Sequence, residues 1–319
     1  MKIAAVVALI VLLLMVVAVR SMVSMPGRSW SGPLPALTDA QRAIAAELRR
    51  DVATLSAAPR SVPQTLAPAA DYIERELIAA GYTPSRQHTP EGDNIEVELP
   101  GASKEIVIVG AHYDSFGDAP GADDNASGVA GCLAMARRLA KSHSHRTLRF
   151  VFFAAEEPPN FKTASMGSYV YAKRCHERGE TIAAMLSIES IGYYDARPKS
   201  QLYPAALAPL YPSSGDFIGF AGNSGSRKLV RECVRTFREQ AKFPSEGAAV
   251  PELVEGIGWS DQWSFWHFGW PALMVTDTAP FRNPHYHTAG DRPETLDYER
   301  TARVVEGLTA LISALASKR

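Results

Sequence analysis

The stretch 112–128, HYDSFGDAPGADDNASG, constrains the fold of this chain more than any other part of the sequence. It follows an apolar run, 106–109, that is typical of a buried strand, and it leads into a helix-like run, 126–140. The stretch therefore lies where a strand ends and a helix begins. In open α/β sheets this is the position at which ligands bind.

The same stretch combines one imidazole, that of His112, with four carboxylates, which belong to Asp114, Asp118, Asp123 and Asp124. A neutral imidazole with carboxylate oxygens suits zinc or a similar divalent ion. His112 and Asp114 are two residues apart, so on an extended chain they point to the same face. Asp114 can then accept the second N–H of the imidazole. The alternative is a solvated acidic loop in which Asp124 or Asn125 caps the helix.

Strands and helices alternate along the chain, which indicates an α/β fold. The apolar run 148–154 is continuous, as in strands that are buried on both faces. We predict a central mixed, mostly parallel sheet with helices on both faces. The predicted strands are 94–99, 105–109, 148–154, 182–188, 217–221 and 272–275. The predicted helices are 39–55, 67–80, 126–141, 165–178, 226–240, 260–268 and 298–316, and 198–212 is an irregular insertion.

Four of the predicted strands lead into side chains that could bind a metal, in chain order His112 with Asp114, Glu156 with Glu157, Glu189, and His287. The carboxyl ends of parallel strands converge on one crevice of such a sheet. Chance could place one glutamate at such a position, but it is a poor explanation for the whole set. The sequence therefore predicts that these side chains meet in one metal-binding crevice at this edge.

One carboxylate can bridge two metal ions about 3.5–4 Å apart, and each ion then needs two further protein ligands. One aspartate of the pair 123–124 is the candidate bridge, and the other candidate ligands are His112, Glu189, Glu157 and His287. Adjacent residues cannot easily occupy the same position, so Glu156 is free to act as a general base toward water. Taken alone, the Glu156–Glu157 pair would be typical of a solvated turn. His285 is an alternative ligand, for which we prefer a surface or supporting role.

The motifs HYD, GADDNASG, AAEE, SIESIG, SDQWSFW and YHTAGD follow one another in this order. In this combination the chain, over residues 65–315, resembles the co-catalytic di-zinc aminopeptidases, metallopeptidase family twenty-eight. That family also contains glutamate carboxypeptidase and, more distantly, glutaminyl cyclase. The resemblance implies the zinc aminopeptidase, or phosphorylase/hydrolase-like, fold.

The resemblance also implies a role for each site residue. It assigns His112 and Glu189 to one zinc ion, Glu157 and His287 to a second, and Asp124 to the bridge between them. It further implies that the peptide bond after Asp124 is cis. In the same scheme Asp114 orients His112, Glu156 is the catalytic base, and Tyr286 donates to the oxyanion. The sequence departs from the family pattern at Gln262, where relatives often have histidine, and at position 189, where many have aspartate.

The leading functional interpretation is a metal-dependent exopeptidase, an aminopeptidase that hydrolyses the N-terminal residue of peptides with water activated by two zinc ions. The alternative is glutaminyl cyclase, a single-zinc acyltransferase in which tryptophan precedes the ligand histidine where this chain has Tyr286. A non-catalytic binding domain is a third interpretation, but relatives of that kind lose zinc ligands. A cluster of aromatic residues could line an apolar pocket or belong to the core, namely Trp259, Trp263, Phe265, Trp266 and Phe268.

Composition argues against nucleic acid as a partner and against disulfide bonds. The formal net charge is -1 and no basic stripe is present, which argues against nucleic acid as a partner. The cysteines are three in number and lack C-x-x-C spacing. An odd, scattered set argues against a disulfide framework or a cysteine zinc site. We expect all of them to be small buried residues.

The N-terminus carries an unbroken apolar run, 3–19, bounded by Lys2 and Arg20. A membrane anchor and a cleaved signal peptide both fit this length, and the lack of a clear cleavage site favours the anchor. We therefore expect an exported protein that meets the membrane only through residues 1–24, or a secreted or periplasmic one if that segment is cleaved. Residues 25–37, rich in proline, glycine and serine, predict a linker. Residues 38–319 then form the catalytic domain.

Overall fold

The computed structural model describes residues 17, 19–204 and 207–319, and its centre is an eight-stranded sheet. The order of strands across the sheet is β1-β2-β4-β3-β5-β8-β6-β7. The strands are β1 Ser85–Thr89, β2 Gly92–Leu99, β3 Glu105–His112, β4 Thr147–Phe153, β5 Thr181–Glu189, β6 Ile218–Asn223, β7 Ser245–Val250 and β8 Ala272–Thr276.

The middle of the sheet is parallel and its flanks are mixed. Strands β4, β3, β5 and β8 are parallel neighbours. On one flank β2 pairs antiparallel with β1 and β4, and on the other β6 pairs antiparallel with β8 and parallel with β7. Because parallel strands end at the same edge, the carboxyl ends of the four central strands lie side by side. The predicted mixed, mostly parallel sheet is confirmed.

Helices cover both faces of the sheet, as predicted. They are α1 Asp39–Leu55, α2 Pro63–Ala79, α3 Gly128–Leu139, α4 Gly167–Glu177, α5 Arg227–Gln240, α6 Gln262–His267, α7 Ala279–Arg282 and α8 Tyr298–Ser317. Alternate residues of β3 divide between two cores: Val107 packs with the helices α1, α2, α3, α5 and α8, whereas Ile108 packs with α4 and α6. The cysteines Cys132, Cys175 and Cys233 are free and buried, as expected.

Two strands, β1 and β7, were not predicted from the sequence. Their sequences, SRQHT and SEGAAV, contain few of the β-branched and aromatic residues that favour strands. Both strands lie at the edges of the sheet. β1 is extended because it pairs with β2, and β7 is extended because it pairs with β6. The local sequence therefore does not predict either strand.

The predicted linker 25–37 has no helix or strand, but it packs on the domain. The guanidinium of Arg238 donates to the carbonyl oxygen of Pro26 at 3.1 Å. Further along, Arg303 donates to the carbonyl oxygen of Pro35 at 2.6 Å. Met25 packs against the larger core. The segment therefore forms a strap along the surface of α5 and α8.

The predicted apolar segment 3–19 lies outside the described residues, except for positions 17 and 19. Residues 19–23 are helical, and Arg227 donates from Nε to the carbonyl oxygen of Ser21 at 2.9 Å. In the part of the chain that the structure describes, no helix combines the length and the apolar character that crossing a bilayer requires.

Candidate metal centre

The carboxyl ends of the four central strands bring the predicted site residues together. His112 is the last residue of β3, and Glu189 is the last residue of β5. Glu156 and Glu157 follow β4 after two residues, and His287 lies beyond β8, in the loop after the short helix α7. Residues 106–110 of β3 pair with both β4 and β5, so the ends of these three strands lie side by side at one crevice.

Asp124 lies between two histidines and turns one carboxylate oxygen toward each. Its Oδ1 is 3.2 Å from His112 Nε2, and its Oδ2 is 3.1 Å from His287 Nε2. The second neighbour of His112 Nε2 is Glu189 Oε2 at 3.1 Å. The second neighbour of His287 Nε2 is Glu157 Oε1 at 3.3 Å. The result is two triads that share Asp124.

These two triads fit divalent cations. In a tetrahedral zinc site with bonds of about 2.0–2.1 Å, neighbouring ligand atoms lie about 3.3 Å apart. Ligand-type atoms of each triad lie within 4.8 Å of one another. Asp124 Oδ1, Glu157 Oε1 and His287 Nε2 are buried without a hydrogen-bond partner among the described residues. Buried atoms of this kind require compensation, which a bound cation supplies.

The electrostatics of the crevice also favour a cation. Burial raises the pKa of Glu157 to about 7, and the charge of Asp124 adds to the shift. Burial alone would lower the pKa of His287, but the neighbouring carboxylates of Asp124 and Glu157 raise it to about 9. Burial would likewise raise the pKa of Asp124, but the neighbouring imidazoles of His112 and His287 hold it below its ordinary value. The carboxylates thus attract positive charge strongly, as divalent metal sites do.

The four carboxylates of the stretch 112–128 separate into different environments. Asp124 belongs to both triads. Asp123 is buried and points elsewhere, because its Oδ1 accepts the backbone N–H of Gly192 at 2.9 Å and its Oδ2 accepts from Asn283 at 2.7 Å. Asp118 is exposed. Of the two candidate bridges, Asp124 therefore has the required position.

Asp114 lies behind the site, where the sequence placed it. Its Oδ1 is 3.4 Å from His112 Nδ1. The same carboxylate accepts the backbone N–H of Glu156 at 3.1 Å and that of Glu157 at 2.9 Å. Asp114 therefore connects the end of β3 to the turn that carries both glutamates, in addition to facing the imidazole.

Glu156 lies beside both triads and belongs to neither. Its Oε2 is 4.0 Å from His112 Nε2. Burial raises its pKa well above the ordinary value, although the charge of His112 opposes the shift. Tyr286 also lines the cleft, and its ring stacks on the imidazole of His287. Burial, with the nearby carboxylates, raises the pKa of Tyr286, so the phenol stays protonated and can donate a hydrogen bond.

Comparison with known proteins agrees with this geometry. A family model described as peptidase family M28 matches residues 94–312, which is more than half of the chain. The chain belongs to peptidase family M28. The predicted family is confirmed, and with it a metal-dependent peptidase.

Sequence relatives of this M28 chain include the uncharacterized protein YfbL of Escherichia coli (strain K12), 36% identical, with 76% of this chain and 78% of the relative covered. A probable leucine aminopeptidase of Arthroderma otae is 31% identical, with 67% of this chain covered. The alignment spans 55% of the fungal protein, so the chain matches about half of its length.

Solved structures share the fold at low sequence identity. The LapA aminopeptidase of Legionella pneumophila superposes with a TM-score of 0.69 at 16% identity, covering 90% of this chain and 78% of LapA. The glutaminyl cyclase of Fimbriiglobus ruber gives 0.64 at 17% identity, covering 91% of this chain and 99% of the cyclase. The fold is thus common to an aminopeptidase and a cyclase. Only the residues of the site can indicate which of the two activities this chain has.

The loop that carries Asp124 in this M28 peptidase is shaped by its neighbours. The peptide bond between Asp124 and Asn125 is cis, as the resemblance predicted. The side chain of Asn125 donates to the carbonyl oxygen of Ile188 at 2.9 Å and accepts the N–H of Ser190 at 3.0 Å. A side chain at Gly128 would lie 2.1 Å from Asn125 Oδ1, so only glycine permits this close approach.

Two residues far apart in the sequence support the same loop. The carboxylate of Asp291 accepts the backbone N–H groups of Asp123 at 2.8 Å and of Asp124 at 3.1 Å. Arg60, buried between α1 and α2, donates to the carbonyl oxygens of Tyr113 at 2.7 Å and Gly121 at 2.9 Å. No sequence pattern pointed to Arg60.

The SDQW motif of the M28 resemblance supports Glu189. Ser260 donates from Oγ to Glu189 Oε2 at 2.7 Å, which orients the carboxylate toward His112. Gln262, where the sequence departs from the family pattern, is buried and donates to the carbonyl oxygen of Ile257 at 3.1 Å. It therefore stabilises the loop before α6. His285 belongs to neither triad, and its backbone N–H donates to Asn283 at 2.9 Å.

The aromatic cluster that the sequence left undecided divides between core and cleft. Phe265 and Trp266 are buried in the smaller core, and Trp263 and Phe268 pack against it. Trp259 is partly exposed and lines the cleft with Glu156 and Tyr286. Position 259 is thus the member of this cluster that can touch a substrate.

Proposed function

We propose that this chain is an aminopeptidase that binds two zinc ions and releases the N-terminal residue of short peptides. The observation that carries the proposal is the position of Asp124, whose two carboxylate oxygens lie 3.2 Å from His112 Nε2 and 3.1 Å from His287 Nε2. A carboxylate turned toward two ligand sets has the geometry of a bridge between two cations. His112 and Glu189 would hold one ion, and Glu157 and His287 the other.

Bound zinc would polarise the scissile carbonyl and lower the pKa of water toward neutrality. The surrounding side chains account for the proton transfers. Glu156 takes a proton from the attacking water and delivers it to the leaving amine when the C–N bond breaks. The phenol of Tyr286 donates to the carbonyl oxygen as it gains negative charge. Asp114, 3.4 Å from His112 Nδ1, holds the imidazole in the tautomer that leaves Nε2 free to bind.

The alternatives account for fewer of these features. A single-zinc cyclase would need one triad, whereas the described residues form two. It would also have tryptophan where Tyr286 stands. Glu156 is a buried carboxylate that lies beside the triads but is a member of neither. A non-catalytic binding domain gives no reason for such a residue. The relative from Arthroderma otae is named a probable leucine aminopeptidase, which agrees with release of N-terminal residues.

We also propose that the enzyme acts outside the cytoplasm, with the apolar run 3–19 as its membrane anchor. What supports this is the length of the run and its place near the N-terminus, because short apolar segments there usually insert with the N-terminus inside. Fractionation of cells that express the full chain, followed by protease treatment of intact cells, tests the location. Full-length protein in the soluble cytosolic fraction would contradict it.

Metal analysis and substrate assays test the function together. Elemental analysis of the purified protein should give about two zinc ions per chain. Aminoacyl-nitroanilides should be hydrolysed, and the same substrates with an acetylated amine should not. Chelation should abolish turnover and zinc should restore it. One zinc ion per chain with cyclisation of glutaminyl peptides would establish the cyclase, and no bound metal would leave a binding domain.

A further inference from the structure

The N-terminal segment enters the described part of the fold along the helix α5. Three arginines of α5 donate to backbone carbonyl oxygens within residues 21–27, namely Arg227, Arg231 and Arg238. The Nε of Arg227 lies 2.9 Å from the carbonyl oxygen of Ser21. Met22 packs against the smaller core. The chain that follows the apolar run 3–19 is therefore bound to the domain almost as soon as that run ends.

The order of these contacts shows where the segment leaves the domain. Ser21 lies at Arg227, the first residue of α5, whereas Gly27 accepts from Arg238 at 3.2 Å, near the end of the helix. The end of the segment that continues into the apolar run is thus at the N-terminal end of α5. Arg20 alone separates that run from Ser21, so little free chain lies between the proposed anchor and the domain.

The N-terminal end of α5 lies near the edge of the sheet at which β3, β4 and β5 begin, called the amino edge below. Lys228, in the first turn of α5, and Ala183, near the start of β5, line the same cavity. The metal ligands lie at the other end of these strands, where Glu189 ends β5. β5 has nine residues, so at about 3.3 Å per residue it spans roughly 26 Å. The proposed anchor and the metal crevice are therefore at opposite edges of the sheet.

A polar cavity lies at the amino edge, beside the point where the segment leaves the domain. Its volume is about 1040 Å³, counted out to open solvent. Arg146, Lys228 and Lys318 line it, and so does Trp270 from the loop before β8. Guanidinium and ammonium groups bind phosphate, and basic pockets next to a membrane bind lipid headgroups. Tryptophan is enriched where proteins meet the interface between membrane and water.

Positive charge is in excess around this cavity. The acidic side chains next to it are paired, Glu232 with Lys318 at 2.8 Å and Glu105 with Arg146 at 2.7 Å. Further lysines at the amino edge are exposed, namely Lys104 before β3, Lys141 before β4 and Lys228 at the start of α5. They come from separate segments of a chain whose net charge is -1, so no basic run marks them in the sequence. The fold brings them to one edge.

We propose that the amino edge of the domain docks on an anionic phospholipid bilayer, with the cavity at the headgroups and the metal crevice directed away from the lipid. The inference rests on the proposed membrane anchor, since the run 3–19 is what brings this edge to the bilayer. The exposed lysines contact the phosphates of the lipid. Peptides in the surrounding solution then reach the triads without passing between the domain and the membrane.

Fluorescence quenching on the full-length protein in lipid nanodiscs tests the orientation. Ser224→Cys, before α5, and Ala289→Cys, in the loop after His287, place one fluorophore at exposed positions of opposite edges, and the native cysteines are buried. The nanodiscs contain phosphatidylcholine, phosphatidylglycerol and a lipid with a nitroxide on its headgroup. Because roughly 26 Å of sheet separates the edges, quenching at 224 should be at least about threefold stronger than at 289. Equal quenching, or stronger quenching at 289, would overturn the proposal.

Two double variants, each in the Ser224→Cys background, test the role of charge. Lys141→Gln with Lys228→Gln removes two positive charges from the amino edge. Lys199→Gln with Arg292→Gln removes the same charge from exposed positions in the segment after β5 and the loop after His287. The ratio of quenched to unquenched label should fall about 5-fold for each lysine removed from the amino edge, since a basic side chain near an anionic surface contributes about that factor. The control pair should leave the ratio unchanged, and equal losses in both pairs would contradict docking through the amino edge.

Lipid composition and insertion separate this inference from the proposals on which it rests. Nanodiscs of phosphatidylcholine without phosphatidylglycerol should show weaker quenching at 224, and equal quenching in both lipids would rule out recognition of anionic headgroups. A full-length chain that does not insert into nanodiscs would remove the anchor itself, whereas insertion with label 289 at the lipid would remove the docking edge alone. Zinc content and hydrolysis should be unchanged in the double variants, because none of the four positions lines the metal cleft.

Discussion

The ring of Phe116 lies parallel to the imidazole of His287, with centroids 4.0 Å apart and planes 2° apart. The ring of Tyr286 also stacks on this imidazole, with centroids 3.8 Å apart. Two rings cannot share one face at these distances, so the imidazole is held from both sides. His287 has a positive φ of 57°, an uncommon conformation for a residue with a side chain. The position of the imidazole therefore depends on these neighbours.

We predict that Phe116→Ala weakens zinc binding at the site of His287, because the imidazole loses one of the rings that orient it. Loss of a residue that orients a metal ligand, here through an aromatic contact, lowers metal affinity by about 10-fold. Competition with a chromogenic chelator measures it. Phe116→Tyr keeps a ring at this position, so its zinc affinity should equal that of the wild type. Phe161→Ala is the control, because Phe161 lines the same cleft, whereas the rings stacked on His287 are those of Phe116 and Tyr286. Equal losses in both alanine variants would argue against the stacking role.

Glu156 and Glu157 are adjacent but differ in position, so their variants should differ in kind. Glu156→Gln should keep zinc near the wild-type content and lower kcat by roughly 10²–10⁴-fold, because a general base is lost. Glu157→Gln should lose zinc, because Glu157 Oε1 lies 3.3 Å from His287 Nε2 in one triad. Zinc content and kcat measured on both proteins decide the matter. If the Glu156 variant is the one that loses metal, the two roles have been exchanged.

Asp291→Asn should destabilise the loop of the bridging aspartate. Both oxygens of Asp291 accept backbone N–H groups, from Asp123 and Asp124, and an amide offers only one acceptor. A buried donor left without a partner costs about 1–3 kcal/mol, so the thermal transition should fall by a few degrees. Zinc affinity should fall as well, since Asp124 is displaced. The control is Asp118→Asn in the exposed part of the stretch 112–128, and a similar effect there would show that net charge, rather than the hydrogen bonds, is responsible.

Truncations test the strap 25–37. Deleting residues 1–24 should leave a soluble, active enzyme, because the contacts of Met25, Ser29 and Pro35 remain. Deleting residues 1–37 should lower the thermal transition, because these contacts are lost and part of the larger core becomes exposed. Differential scanning calorimetry compares the two proteins. If both melt at the temperature of the full chain, the strap contributes nothing to stability.

The carboxyl ends of the central strands are the part of the site that local sequence patterns predict well. His112 and Glu189 end strands whose apolar runs are visible in the sequence, and parallel strands end at one edge. The position of the centre therefore followed from local patterns and one topological rule. The choice of Asp124 over Asp123 came from the family resemblance, because adjacent carboxylates look alike in a sequence.

Contacts between distant segments could not be predicted from local sequence patterns. Arg60 and Phe116 have no local pattern that marks them, yet one donates to the carbonyl oxygens of the stretch 112–128 and the other stacks on His287. The edge strand β7 is extended because β6 pairs with it, and SEGAAV alone has no strong strand preference.

The α/β sheet, the family and the candidate ligand set thus follow from the sequence alone, since they depend on the order of strands and on the side chains at their ends. The orientation of the ligands and the surface that a substrate meets depend instead on tertiary packing. Residues that are distant along the chain, such as Glu156, Trp259 and Tyr286, become one surface when loops and strands pack together. A pocket is the space left between packed elements, and no single element encodes that space.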